Sequence, residues 1–249
     1  LFNLNSCKDE DKTQENSINK VDFYSQEGRK RLQNSKYNND FFQLVNFYQP
    51  QINPLYCGIA TSVILLNSIH SDDKILSQKE AEIEKPEIFG GGKIEFNEYL
   101  QSNFLNEKTD LIKQKEIVEL KAQRKFENGT ENYDPGLTLK DLADILSRSH
   151  DLKVEKIYAK KNDIKSVEKF RKNIKKYLKD DKHFVVVNFY GKKIGNKTGG
   201  HISPLAAYHE KTDSVLVLDV ALHKDRWFFI GVKDLYEAMN TKDGKNYRG

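Results

Sequence analysis

The stretch that most limits how this chain can fold is residues 49–66, QPQINPLYCGIATSVILL, where a polar, proline-bearing run gives way at Cys57-Gly58 to an apolar segment. Ala60, Val63, Ile64 and Leu66 recur there at helical spacing, which predicts a buried helix opening at Cys57. A cysteine at that position sits among first-turn N–H groups at the positive end of the helix dipole. That setting favours thiolate over thiol and lowers the pKa below its usual value of about 8.5. The alternative is a cysteine that serves as a small core hydrophobe.

Composition narrows the classes. The 249 residues carry a net charge of +4, with 31% charged residues mixed throughout. No arginine-rich helix or aromatic-basic repeat offers a nucleic-acid face. Only two cysteines are present, Cys7 and Cys57, too few for a disulfide framework or a cysteine-based metal cluster. No protein-held metal is therefore expected. No run approaches the roughly 18 apolar residues of a membrane span. The opening LFNLNSC, followed by the polar KDEDKTQENSINK, looks like the end of a hydrophobic signal segment. Leu4-Asn5-Ser6-Cys7 resembles a bacterial lipoprotein cleavage box, in which Cys7 would carry lipid; a frayed terminus is the other reading. Residues 1–20 are thus expected to be a signal remnant and flexible tether, and 21–249 one two-lobed catalytic domain. The expected location is the cell envelope or periplasm of a bacterium, with membrane contact only through Cys7, or alternatively the cytoplasm.

Residues 41–47 read as a packed segment leading to Gln49, and GGGK at 90–93 as a turn, since it lacks the flanking features of a phosphate loop. Residues 108–126 show apolar positions at helical intervals and predict a surface helix. Thr138 is a candidate N-cap with Asp141 three residues on, and Leu142, Ile145 and Leu146 form a stripe to bury. Residues 154–158 alternate as a short strand, 163–178 carry Val167, Phe170, Ile174 and Leu178 as an amphipathic helix, and 184–189 read as a central strand. The last third predicts a β-meander at 202–208, 214–220 and 227–232, with Pro204 marking a bulge or an edge. Helices first and antiparallel strands afterwards is an α+β order.

The hairpin carries the chemistry. If it pairs symmetrically about Lys211, residue 203 faces 219 and 201 faces 221, so His201 and Asp219 share one face in diagonal positions. A one-residue slip would place them on opposite faces. The carboxylate then fixes the imidazole, whose other nitrogen draws the proton from Cys57. Six residues before the cysteine, Gln51 offers an uncharged amide donor for an oxyanion, or is simply a loop glutamine. Gln51, Cys57, His201 and Asp219 in this order have the layout of papain-like cysteine enzymes. His70, His150, His183, His209 and His223 lack such a setting and read as surface residues.

Longer stretches narrow the likeness. YCGIATSVILLNSI, TGGHISPLAAYHEKTDSVLVLDV and LYEAMNTKDGKNYRG, with FRK at 170–172 and FVVVNFYGKKIG at 184–195, resemble the phytochelatin synthase family, especially its short prokaryotic form. The likeness covers roughly residues 25–70 and 136–249. It implies a papain-like fold, with a helical N-terminal lobe carrying the cysteine and a β-sheet lobe carrying histidine and aspartate. It also implies Cys57 as nucleophile, His201 as base, Asp219 as its orienter, Gln51 as oxyanion donor, and Arg248 as a substrate-binding arginine near a second-substrate site. The implied partner is glutathione, cleaved at its Cys-Gly bond with transfer or hydrolysis, and the implied role lies in phytochelatin synthesis, heavy-metal response or glutathione turnover. No tightly bound cofactor is implied; a heavy-metal ion (Cd, Zn) would enter as the glutathione thiolate. Two other readings stand beside it: a peptidase of the bacteriocin-leader-processing type, and a catalytically dead binding protein. After Asp219 the chain has Ala221-Leu222-His223-Lys224-Asp225-Arg226 where the family has an aromatic and paired prolines. Residues 71–134 keep little of the family pattern.

Overall fold

A computed structural model describes residues 18–71, 81–119, 124–125, 131–132, 136–181, 183–243 and 246–249. Cys7 lies outside the described residues. In chain order, β1 (Lys20–Asp22) leads to α1 (Gln26–Gln33), α2 (Asn39–Asn46) and α3 (Cys57–Ile69). The middle holds the hairpin β2 (Ala81–Glu84) and β3 (Lys93–Phe96), the single-turn α4 (Lys115–Val118), and the short pair β4 (Arg124–Lys125) and β5 (Glu131–Asn132). Then come α5 (Leu139–Arg148), α6 (Ile164–Tyr177), β6 (Val185–Tyr190), β7 (Gly200–His209), β8 (Ser214–Val217) and β9 (Phe228–Gly231). Helix α7 (Val232–Met239) and the small hairpin of β10 (Lys242–Asp243) and β11 (Asn246–Tyr247) follow.

The frame is a mixed α+β fold around an antiparallel sheet of order β1-β9-β8-β7-β6. Strand alternation sorts the sheet's side chains onto two faces. Leu205, Val215, Val217, Phe228 and Ile230 face one way with Val167 and Ile174 of α6 and Leu235 of α7. Leu216, Leu218 and Phe229 face the other way with Ala60 and Ile64 of α3 and Leu44 of α2. Helix α3 is buried on every side from Gly58 to Ser68, with apolar residues all round it. A further cluster packs Ile59, Val63 and Leu66 of α3 against Leu142, Ile145 and Leu146 of α5. Helix α5 starts where Thr138 and Asp141 form a reciprocal capping box.

Several local expectations change. Residue Lys20, placed in the tether, is already in β1 and pairs with Ile230. Of the expected 108–126 helix, the described residues show only the one turn of α4, with 124–125 in β4, while 120–123 and 126 lie outside the described residues. The start of the expected helix is diverted by Asn106 and Thr109: Thr109 Oγ1 accepts from the Asn106 N–H at 2.9 Å, and Asn106 Oδ1 from the Lys108 N–H at 3.0 Å. Such side chains compete with helical bonding. Residues 154–158 run largely exposed with no ladder among the described residues. Strand β6 is an edge rather than a central strand; it reads as central because Val187 and Phe189 join the α6–α7 side while Val186 packs on the other. His209 is buried, bonded to Thr212 Oγ1 at 2.7 Å, and His150 stacks on Phe104. The triple glycine is the β2–β3 turn, with φ of 91°, 65° and 86° at Gly90, Gly91 and Gly92.

Candidate active site

Cys57 is the first residue of α3. The turn before it is built by Asn53, whose Oδ1 accepts from the Leu55 N–H and whose carbonyl accepts from the Tyr56 N–H, both at 2.9 Å. Tyr56 takes the N-cap position, but its side chain caps no helix N–H; its hydroxyl donates to Glu119 Oε1 at 2.8 Å instead. The orphan donors of the first turn remain available. The backbone N–H groups of Gly58 and of Ile202 in β7 both favour the charged form of the Cys57 sulfur.

His201 and Asp219 meet because the hairpin changes register. Near the turn, His209 pairs with Ser214 and Ala207 with Leu216, whereas beyond a bulge Leu205 pairs with Val217. The Leu218 N–H then donates to the Pro204 carbonyl at 3.1 Å, so residue 219 stands opposite 203 and diagonal to 201. Without the bulge, 219 would stand opposite 204 and its side chain would leave the face of His201. In the structure His201 Nε2 donates to Asp219 Oδ1 at 2.7 Å, with both side chains buried. Asp219 Oδ1 also accepts from the Ala221 N–H at 2.8 Å, and Oδ2 from Asn196 Nδ2 at 3.4 Å. Ser203 Oγ lies 3.2 Å from His201 Nε2, and Phe189 meets the imidazole edge-on.

Electrostatics link this pair to the cysteine. Burial pushes the Cys57 thiol up, but the hydrogen bond and charge of His201, with the Ile202 and Gly58 N–H groups, hold it below the ordinary thiol value. Burial pushes His201 down, and the hydrogen bonds and charges of Asp219 and Cys57 raise it well above the ordinary imidazole value. The two directions agree. They describe a thiolate facing an imidazolium.

A cavity of about 120 Å³ opens on this pair, and Arg248, Asp243 and Asn188 line it. Arg248 donates through Nε to Thr241 Oγ1 at 3.2 Å and through Nη2 to the Lys242 carbonyl at 2.9 Å, while Nη2 lies 3.5 Å from Asp243 Oδ1. The guanidinium passes so close over Gly200 that a Cβ there would collide with it, so the glycine beside His201 makes room for Arg248. Asn188 is buried, and neither side-chain atom has a hydrogen-bond partner. A buried amide left open in this way is set up to take a ligand.

Four of the five residues singled out in the sequence therefore gather at one cavity: Cys57, His201 and Arg248 line it, and Asp219 stands behind His201. Arg248, expected near a second-substrate site, lines the same cavity as Cys57. Gln51 is not among the residues lining the cavity. Its Nε2 donates to the Asn53 carbonyl at 2.8 Å, and its Oε1 is buried without a partner. One N–H of that amide is used, and the second is free. Asn188 and Asp243 escaped the sequence reading, although the NFY of β6 and the KDG before Arg248 both fall inside stretches that resembled the family.

The site and its frame define a mixed α+β domain in which a cysteine at a helix start faces a buried histidine–aspartate pair. A family model described as phytochelatin synthase matches residues 12–249, and the chain belongs to that family. Its relatives include glutathione gamma-glutamylcysteinyltransferase 3 of Lotus japonicus, 26% identical over 226 residues, and glutathione gamma-glutamylcysteinyltransferase 2 of Arabidopsis thaliana, 25% identical over 227. Each alignment takes in 90% of this chain and 39% and 42% of the relative. The Schizosaccharomyces pombe glutathione gamma-glutamylcysteinyltransferase is 30% identical over 74 residues, which is 30% of this chain and 18% of that protein. The chain thus spans about two fifths of the length of the plant relatives.

Proposed function

We propose that the protein is a papain-like cysteine acyltransferase that cleaves glutathione at its Cys-Gly peptide bond. The names of its relatives support glutathione as substrate. The single observation that carries the chemistry is the buried Asp219–His201 hydrogen bond at the cavity that His201 and Cys57 line together. Cys57 attacks the cysteinyl carbonyl as a thiolate. The oxygen of the tetrahedral intermediate is met by N–H groups at the start of α3 and by the second amide hydrogen of Gln51. His201 passes its proton to the glycine nitrogen, the C–N bond breaks, glycine leaves, and a γ-glutamylcysteinyl thioester remains on Cys57. Water or the amine of a second glutathione then attacks the thioester, losing its proton to His201 and restoring the thiol. The products are γ-glutamylcysteine or a two-repeat phytochelatin.

The cavity chemistry supports this substrate. The γ-glutamyl group carries a free α-carboxylate and α-ammonium, and Arg248, Asp243 and Asn188 offer one cation, one anion and one open amide in the cavity that Cys57 lines. A cavity of about 120 Å³ suits such a head better than an extended leader peptide. Cadmium or zinc enters as the glutathione thiolate, as substrate. Incubating the protein with glutathione, with and without Cd²⁺, and weighing the products by mass spectrometry tests the proposal. Free glycine with γ-glutamylcysteine or phytochelatin supports it, and Cys57→Ser should abolish all three.

A further inference from the structure

Behind the histidine–aspartate pair stands a lysine that the chemistry so far leaves unused. Lys20 lies in the three-residue strand β1 at the edge of the sheet. Its ammonium donates to Asn196 Oδ1 and sits 4.7 Å above the Phe228 ring. Among the described residues it makes no ion pair. Asn196 is buried; it follows a left-handed Gly195, and its N–H is tied to the Gly191 carbonyl at 3.0 Å. An ammonium can only donate, so the amide atom facing Lys20 must be the oxygen. The NH2 end is thereby aimed at Asp219 Oδ2, 3.4 Å away.

We propose that Lys20 is a positioning residue for catalysis: it fixes the orientation of the Asn196 amide, which holds the Asp219 carboxylate square to His201. This rests on the reading of Cys57, His201 and Asp219 as acyl-transfer machinery. The geometry gives the sign. If Lys20 is removed, Asn196 Oδ1 loses its donor and the amide its anchor, so the NH2 end is no longer held against Oδ2 and the carboxylate is free to rotate off Nε2. The imidazolium loses its hold, and the thiolate loses both that partner and a nearby positive charge, so the Cys57 pKa rises. The other charged or titratable groups facing this assembly are Arg248 and Asp243 in the cavity, and Tyr48, whose hydroxyl donates to the Asp219 carbonyl at 2.6 Å and which feels Arg226. None of these is altered by changing Lys20.

The test is the pH dependence of iodoacetamide alkylation, read at the Cys57 peptide by mass, in the intact protein and in Lys20→Met, Lys20→Arg and Asn196→Ala. Lys20→Met keeps the apolar stem over Phe228 while deleting the donor. The acid limb of the wild-type profile should lie well below that of a free thiol. In Lys20→Met and Asn196→Ala it should move up by about one unit, roughly a tenfold slower reaction at pH 6. Lys20→Arg should stay within about twofold of wild type, because it still donates. Glutathione turnover should fall about tenfold in kcat with KM unchanged. A Lys20→Met protein with a lowered Tm but an unmoved profile would make Lys20 a mere staple for β1 and overturn the proposal. Should that variant fail to fold, Asn196→Ala decides by the same shift. An ordinary thiol profile in the wild type would instead overturn the acyl-transfer reading itself.

Discussion

Two aspartates in this molecule are equally buried and could hardly differ more. Asp219, at the cavity, has no exposed surface, and its oxygens accept from His201, the Ala221 N–H and Asn196. Asp40, on α2, also has no exposed surface, yet neither oxygen has a hydrogen-bond partner. Burial, then the charges of Asp180 and Asp181, push Asp40 up to about 8. Burial alone does not set the role of a carboxylate. Donors aimed at it turn one into a support for imidazolium, and their absence leaves the other a neutral acid for most of the physiological range.

The sharpest way to break this contrast is to neutralise each aspartate in turn. Asp219→Asn should lower kcat for glycine release on the order of 10³ to 10⁴-fold, because the amide holds the wrong imidazole tautomer. Asp40→Asn should leave kcat within about twofold, since nothing in the cavity touches it. A rate loss of similar size in both would show that Asp219 acts only through the fold.

Removing Arg248 is the next largest change. A buried, charge-assisted contact to substrate is worth about 1.5–3 kcal/mol, so Arg248→Ala should lower kcat/KM for glycine release by roughly 10 to 100-fold. Because Arg248 lines the cavity that Cys57 opens on, hydrolysis and transfer should fall together. Loss of the transfer product alone would return Arg248 to a second-substrate role.

Stability sharpens the Asp40 half. Its folded pKa, about 8, is above the ordinary 3.8, so the folded state holds this proton more tightly than the unfolded state does. The stability it contributes is complete below about pH 4 and is lost as pH rises towards 8. Asp40→Asn removes that titration. It should match wild type near pH 4 and exceed it near pH 8 by on the order of 5 kcal/mol, a Tm gain of roughly 10 °C or more. Equal Tm differences at both pH values would contradict the assignment. The smallest effect is expected on the β2–β3 turn, where Ile88 is 86% exposed; Ile88→Ser should change stability by less than about 0.5 kcal/mol in denaturant melts.

The site's three reacting side chains were legible because each has a local signature. Cys57 marks a polar-to-apolar switch, and His201 and Asp219 sit ten and eight residues from Lys211, an even offset that keeps them on one face in a symmetric hairpin. The symmetric register holds at that end only because the bulge between Leu205 and Ala207 restores it. Pro204 hinted at that irregularity one residue early. Lys20, Asn188, Asn196 and Asp243 were not legible, since each acquires meaning from a partner far away in sequence. Lys20 and Asn196 come together through the sheet order β1-β9-β8-β7, which no local pattern contains. The exposed 154–158 run failed for the converse reason: its alternation is real, but no neighbouring strand among the described residues completes a ladder.

The central claim is that Cys57 forms a thioester with the γ-glutamylcysteinyl half of glutathione. Rapid acid quenching of the protein with glutathione, followed by intact mass and peptide mapping, tests it directly. The account predicts a mass gain equal to one γ-glutamylcysteinyl acyl group, located on the Cys57 peptide, labile to hydroxylamine and absent in Cys57→Ser. Glycine release without any adduct on Cys57, or an adduct that persists in Cys57→Ser, would contradict it.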